Sequence, residues 1–591
     1  MVRARSLLIA IALAAFLFRI AALIGAGGPL GATSSYDDGV YFSASALWLR
    51  GVIPYRDFVF VHPPGILWFL GLISWLPDPA QAFSAARVLA CAAGGVNTLL
   101  VGLIVMRAAG PFGGIVAAAL YAIYPDAMTA ERSAYLEPFL NLACLSSMYF
   151  WLEENRSGAR LRRAFLSGFL SGVACAVKLW GGIWVIAAAF ALDRKRYPRF
   201  LAGAVFAGLL LVLPLAAPAM NEFISQTLRF QFSRPPDGTL DFATRLREIF
   251  TSGHIATSVL ALIGFFAVMK LRERVFAIAM LLTIIGFLAS SSYWTQYNAH
   301  LAASQCVLAG FGAAALSNRR TIVIALIVLT QAWPFTREMR NAIRSRSTEL
   351  LTFAQTSVPA FAFDPTWTLA MHRLPPHGDG APVIVDSYGV MLREAARAGR
   401  FRDTTSAFQS PAPQPAILAR LAASNYVLLG WRGPWQMNAR DRAWFASHFE
   451  CTNPEAGELC VWKRRAQPLA NAPSIEDQTI RFLDGWYAIE GTPPDTWRWM
   501  SRRSVMQLPP VNGIAHLHLQ FEGNATLTFS LDGHPIERAD DIEIAGNTPH
   551  TLVITADRVF VPARVQRRSR DQRELSVRLK RIAWNAGVPA G

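Results

Sequence analysis

Residues 34–77 read SSYDDGVYFSASALWLRGVIPYRDFVFVHPPGILWFLGLISWLP. Two adjacent carboxylates, Asp37 and Asp38, open the stretch, and Tyr41, Ala44, Leu47 and Trp48 follow at helical spacing. An amphipathic helix of this kind suits a membrane surface. Asp57, His62 and the rigid pair Pro63-Pro64 come next. Adjacent carboxylates repel, and are tolerated where one takes up a proton or both share a cation. One could then act as general base toward a hydroxyl while the other orients it or holds a metal. The same pair also reads as solvated acids capping the helix that follows.

The sequence on either side of this loop is that of a membrane protein. Of 591 residues, 53% are hydrophobic and 16% charged, against about 25% charged in a soluble domain, and mean hydropathy is +0.30. Apolar runs at 6–25, 81–106, 111–127, 133–152, 164–179, 181–192, 200–219, 254–270, 275–290, 298–316 and 321–335 are near the length that crosses a bilayer. They predict a polytopic α-helical protein of about eleven spans, and exclude a single soluble domain or a disordered chain.

The net charge of +16 marks topology rather than nucleic acid. Its excess falls in alternate loops: Arg3 and Arg5; Arg156, Arg160, Arg162 and Arg163; Arg194, Lys195, Arg196 and Arg199; Lys270, Arg272 and Arg274; Arg319 and Arg320. The positive-inside rule makes those loops cytoplasmic. The loop 26–80 and everything beyond 336 then face the exoplasmic side of a bacterial cytoplasmic membrane. The basic start of the first run also fits a signal peptide, and the later spans do not depend on that choice.

The expected organisation is a membrane domain over 1–340, a linker over 341–375, a small exoplasmic α/β domain over 376–466 and a β-sandwich over 467–591. In the α/β domain PVIVD (382–386) and NYVLLG (425–430) read as buried strands, YGVMLREAARAG and PAILARLAAS as helices. HLHLQF, ATLTFSLDG, DIEIAG and HTLVITAD alternate in the manner of an antiparallel sandwich. Cys91, Cys144, Cys175 and Cys306 lie in apolar runs, whereas Cys451 and Cys460 enclose a short loop and read as a disulfide in an oxidising compartment. No second ligand pair accompanies them, which argues against zinc.

A carboxylate pair just after the first span, a long first outer loop and an HPP turn within it resemble the GT-C glycosyltransferases. The pattern is similar to that of the protein O-mannosyltransferases and the lipid A aminoarabinose transferases. Mycobacterial arabinosyltransferases, with membrane spans and a carbohydrate-binding β-sandwich, share the plan. The layout covers roughly 1–340, and the sharp motifs only 36–65. Asp stands at position 38 where Glu is usual, and Gly65-Ile66 where the mannosyltransferases have Leu-Gly.

The resemblance implies transfer of a sugar from a polyprenyl-phosphate donor to a cell-envelope acceptor, with inversion at the anomeric carbon. Asp37 would be the base, and Asp38 its partner in orienting the acceptor or in holding a divalent metal ion. His62 would serve near the donor as hydrogen bonder or ligand. The departing phosphate needs positive charge or a metal. Lys178, at the outer end of an apolar run, reads either as that charge or as a lysine snorkelling to the interface. Glu131 and Arg132 read as donor binders or as an ion pair; Tyr297 and His300 border a donor pocket or belong to an aromatic belt. Arg229 and Arg234 read as phosphate contacts or solvated loop residues. Trp486, Tyr487, Trp497 and Trp499 read as sugar-stacking or packing residues, and the basic tract 563–581 as a contact for anionic headgroups or glycan, or as a solvated face. Two other classes compete: a transporter or flippase of lipid-linked sugars, disfavoured by the lack of an internal repeat, and a non-catalytic glycan-binding membrane scaffold.

Overall fold

The computed structural model describes residues 2–32, 36–154, 160–191, 196–344, 347–411, 414–492, 495–511, 513–536, 541–566, 569 and 571–586. Of the loop residues used for topology, Arg156, Arg194 and Lys195 lie outside these. The chain divides into two compact units that interleave in sequence: Met1–Ser347, His372–Pro375 and Val383–Ala407 form the first, and Thr348–Met371, Pro376–Pro382 and Phe408–Gly591 the second.

The first unit is helical. Its leading elements are α1 (Val2–Gly25), α2 (Tyr36–Trp48), α3 (Gly65–Gly71), α4 (Pro79–Ala109), α5 (Pro111–Ala122), α6 (Pro125–Ala130), α7 (Leu136–Glu154), α8 (Arg160–Val177) and α9 (Gly181–Ala191). Proline at the first position of α4, α5 and α6 suits a site whose N–H has no intrahelical partner. Among the described residues three helices, Val2–Gly25, Pro79–Ala109 and Ser317–Arg344, are long and apolar enough to cross a membrane. They become five if two bent pairs each count as one span. Pro111–Ala122, Gly181–Ala191 and Arg274–Ala289 are apolar but shorter, because Gly, Pro and polar residues interrupt runs that a hydropathy window reads as continuous.

Contact between these helices relies on small and polar residues, as expected where lipid is as apolar as leucine. A Cβ at Gly168 of α8 would collide with the Phe200 carbonyl, and one at Gly203 with Phe165. Ser147 of α7 lies 2.8 Å from Ser171 Oγ of α8 and donates to the Ser167 carbonyl at 2.8 Å. A longer polar chain crosses the unit. Arg19 of α1 and Glu131 are both fully buried, with Nε and Nη2 of the arginine 3.0 and 2.5 Å from Oε2. Glu131 Oε1 accepts from Asn97 (2.8 Å) and from the Tyr121 hydroxyl (2.8 Å). Asn141 donates to that hydroxyl at 3.1 Å and to the Ala299 carbonyl at 2.7 Å. Its Oδ1 lies 2.9 Å from His300 Nδ1, and Trp184 Nε1 donates to His300 Nε2 at 3.2 Å. With Nε2 accepting, the His300 proton sits on Nδ1.

Two expectations are corrected here. The helix at Tyr36–Trp48 is not a surface element: Tyr36, Asp38–Leu47 and both its faces are buried. PVIVD (382–386) forms no strand; Asp386 instead caps the helix Ser387–Ala398, accepting from Gly389 N at 2.7 Å, and this segment joins the membrane unit rather than the α/β fold.

In the second unit a four-stranded sheet runs Ala360–Ala362, Tyr426–Leu428, Val461–Arg464, Phe449–Cys451, the first pair parallel and the others antiparallel. Cys451 and Cys460 are disulfide-bonded across the intervening loop, with Cα atoms 5.9 Å apart. Residues 481–586 build two five-stranded sheets. One places Ile514–Glu522 and Arg578–Ala586 at its centre, the other His550–Ala556. Their inward residues, among them Met506, Leu517, Phe529, Ile544, Leu552 and Ile554, form one core. Trp486 packs on Phe482 and donates to the Val505 carbonyl at 3.0 Å. Arg578 lies over Trp497 and Trp499, 5.2 and 5.8 Å from the ring centroids.

Gly94 tests the buried pair. A Cβ there would stand 2.6 Å from Glu131 Oε2 and 2.7 Å from Arg19 Nε, so Gly94→Ala must push apart a pair of ions that water cannot reach. Breaking such a pair costs about 3 kcal/mol or more. The expected outcome is a lower thermal midpoint in detergent, with Gly182→Ala, where nothing lies within 4 Å of the new methyl, as the silent control.

Candidate functional site

The two carboxylates occupy the first turn of α2, where the helix dipole favours negative charge, and the fold sends them in different directions. Asp38 is fully buried. Its Oδ2 meets Arg87 Nε at 2.8 Å and Nη2 at 2.7 Å, and its Oδ1 accepts from Ala134 N at 2.6 Å. Arg87, on α4, also donates from Nη1 to the carbonyls of Pro29 (2.5 Å) and Ala32 (3.2 Å), and its guanidinium lies 4.4 Å from the Phe83 ring centroid. Asp37, about 100° further round the helix, is half-buried, and its Oδ2 accepts from Gln296 Nε2 at 3.1 Å. The repulsion expected of adjacent acids is relieved because Arg87 neutralises one of them.

A cationic and aromatic group faces the same region. Lys178 sits at the break between α8 and α9. Its Nζ donates to Glu137 Oε1 at 2.6 Å and lies 3.9 Å from the Tyr297 ring centroid. Tyr41, one turn after Asp37, has its hydroxyl 3.2 Å from His62 Nε2. Burial, then the charges of Asp37 and Glu137, raise the Tyr41 pKa well above the usual phenol value. Burial, with Lys178 and Arg234, pushes the His62 pKa well below 6.5, so the imidazole is neutral at pH 7. Asp37, Tyr41, His62, Glu137, Lys178 and Tyr297 are thus within electrostatic reach of one another.

The HPP turn is held from several sides. Tyr55 adopts a left-handed φ of 69°, uncommon for a bulky residue, and its hydroxyl donates to the His62 carbonyl at 2.8 Å. Gln226 clamps the segment before the turn, accepting from Phe60 N at 2.9 Å and donating to the Tyr55 carbonyl at 3.1 Å. It lies in a single π-helical turn, Ser225–Arg229, a distortion frequent at functional sites. Gly65 closes the turn against α8: a Cβ there would stand 2.5 Å from Ala176 C and 2.7 Å from Val177 N, next to Lys178.

The other candidates have partners of their own. Glu131 and His300 belong to the buried chain that starts at Arg19, and the Arg132 guanidinium reaches Thr129 Oγ1 at 3.4 Å. Arg234 pairs with Asp237 Oδ2 at 2.8 Å. The donor set expected for a divalent metal does not fit one here: both Asp38 oxygens are committed to Arg87 and Ala134 N, and among the described residues no group of three or more His, Cys, Asp or Glu side chains could hold an ion.

Sequence reasoning missed Arg87, Gln226, Gln296 and the contact of Tyr36 with Asp386. Arg87 had a usable signal, since an ionisable residue inside an apolar run demands a partner; so did Arg19. The glutamines carried none.

Residues 61–221 match the family model described as dolichyl-phosphate-mannose-protein mannosyltransferase. Over that stretch the match bears out the GT-C resemblance read from the first outer loop, and Asp37 and Asp38 lie just before it. No curated protein matches the chain. Among solved structures, the chain is similar to ArnT from Cupriavidus metallidurans in the apo state, at 14% identity and a TM-score of 0.48 over 62% of this chain and 84% of that one. It is also similar to the Archaeoglobus fulgidus oligosaccharyltransferase in the apo form (12%, TM-score 0.47, 78% and 75%). A third similarity is to the S. cerevisiae protein O-mannosyltransferase complex bound to the sugar donor (16%, TM-score 0.30, 38% and 34%).

Two outcomes separate the roles of these residues. Asp38→Asn removes the charge facing Arg87 and should destabilise the protein by about 3–5 kcal/mol, whereas Asp37→Asn should leave the thermal midpoint unchanged. His62 bears on pH: the unfolded chain binds a proton near pH 6.5 that the folded chain refuses. Its contribution is therefore complete above pH 6.5 and falls as pH drops below it. Thermal midpoints of His62→Gln should decline less than those of the parent between pH 6.5 and about 5.

Proposed function

We propose that this chain, whose membrane region carries the mannosyltransferase pattern over 61–221, transfers a sugar from a polyprenyl-phosphate donor to a cell-envelope acceptor on the exoplasmic face. The reading takes the chain as a bacterial inner-membrane protein of about eleven spans with its N-terminus in the cytoplasm. The observation that supports the chemistry best is the division of labour in the acid pair, in which Asp38 is spent on Arg87 and Asp37 is half-buried, held by Gln296 and within electrostatic reach of Lys178.

In this reading Asp37 accepts the proton of an acceptor hydroxyl. That oxygen forms the new bond to the anomeric carbon as the bond from that carbon to phosphate oxygen breaks, and polyprenyl phosphate leaves with the electron pair. Lys178 supplies positive charge to the departing phosphate, which competes with Glu137 for the ammonium. His62, neutral at pH 7, offers a hydrogen bond without adding charge. Asp38 acts through the backbone of α2 and sets the direction of its neighbour. A positioned base of this kind supplies ~10²–10⁴-fold.

The protein purified in detergent, offered polyprenyl-phosphate-linked mannose, arabinofuranose, glucose or galactose with envelope acceptors, should release polyprenyl phosphate from one donor. Asp37→Asn should lower kcat by about 10² or more with the fold intact. Release unchanged by Asp37→Asn would overturn the assignment of the base.

A further inference from the structure

The helix Ser387–Ala398 belongs to the membrane unit, and its N-terminus meets the residue that precedes Asp37. The buried Tyr36 hydroxyl donates to Asp386 Oδ1 at 2.9 Å and accepts from Tyr388 N at 3.0 Å. The two tyrosine rings meet edge to face at 6.5 Å. Tyr388 in turn donates from its hydroxyl to Asp237 Oδ1 at 2.6 Å, and Asp237 Oδ2 holds Arg234, one of the two cations that act on His62. Asp386 is among the charges acting on Tyr41. Contacts thus run from the first turn of α2, through residues 386–388, to the 234–237 turn, and electrostatically back to His62. Arg393 pairs with Glu222, and Glu222 also accepts from Gln226, the clamp of the HPP turn, at 3.3 Å.

We infer that residues 383–407 form a wall of the candidate site, and that Tyr36, Asp386 and Tyr388 are positioning residues that hold the N-terminus of α2, and with it Asp37, in register with the HPP turn. Asp38 and Arg87 secure this turn of α2 from the side of α4; the Tyr36 hydroxyl secures it from the other segment. A base held at one point can still rotate about it, whereas two attachments, one in the residue on either side of it, fix the direction of the carboxylate between the acceptor and the anomeric carbon. Misplacement by about 1 Å costs on the order of 10²-fold in rate.

The kinetic role rests on the glycosyl-transfer reading; the structural role does not, and the test separates them. Tyr36→Phe keeps the ring and the cap from Asp386 to Gly389 N, and removes only the hydroxyl. It should lower kcat about ten- to hundredfold while the donor KM stays within about twofold, and amide hydrogen exchange over residues 36–41 should speed up in the full-length protein in detergent. Asp386→Asn retains an oxygen acceptor and should keep near-parental kcat, whereas Asp386→Ala should match Tyr36→Phe. The double variant should be no worse than Asp386→Ala alone, as required of two residues in one interaction. Unchanged exchange in Tyr36→Phe would overturn the wall itself. Faster exchange with unchanged kcat would overturn the positioning role. A parent protein that releases no polyprenyl phosphate would overturn the transferase reading and the kinetic role that rests on it, leaving the wall to be judged by exchange alone.

Discussion

The ion pair between Asp38 and Arg87 holds this site in place, because neither partner has water to fall back on. A buried pair repays its desolvation only if the remaining donors and acceptors are also satisfied. Here the second carboxylate oxygen takes the Ala134 amide and the remaining guanidinium nitrogen, Nη1, takes carbonyls at 29 and 32. One interaction therefore ties the segment after α1, the start of α2, the body of α4 and the turn before α7. It also explains how two acids can be adjacent: Arg87 compensates the charge of Asp38.

The same logic recurs across the helical unit. Hydrophobic burial does little to hold one membrane helix to another, since lipid solvates them equally well. Close backbone approach and hydrogen bonds supply specificity instead. The chain from Arg19 through Glu131, Tyr121, Asn141 and His300 to Trp184 touches α1, α5, α7, α9 and the helix Asn298–Ala315, and Gly94 leaves room for its first link. It approaches the groups around Lys178 at His300, on which Lys178 acts, while its other members hold helices together and a second set of buried polar groups lines the site. Residue type does not distinguish the sets: Glu131 and Glu137 are both buried, the first in the scaffold and the second against Lys178.

Legibility in the sequence varied with the range of the interaction. The apolar runs and the alternating strands after 510 are local patterns, and the helices and sheets follow them. The helix at Tyr36–Trp48 also formed where its spacing placed it. An amphipathic period states which face is apolar and not whether the polar face is also covered; Ser43 and Ser45 are both buried, and Ser45 donates to the Leu67 carbonyl of α3. PVIVD failed as a strand because β-branched residues mark burial as readily as pairing, and Asp386 at its end was needed as a helix cap.

The sequence by itself determined the class of molecule, the acid pair at the start of α2 and the HPP turn, because hydropathy, charge and stiff backbone are properties of neighbouring residues. It also brought Tyr41 within one helical turn of Asp37. Tertiary structure alone decided which acid is neutralised, that Lys178 faces Glu137 and Tyr297, and that Asp386 and Tyr388 meet the start of α2. Those outcomes depend on contacts between residues from about 40 to 350 positions apart, where no periodicity reaches and only the geometry of close packing selects the partner.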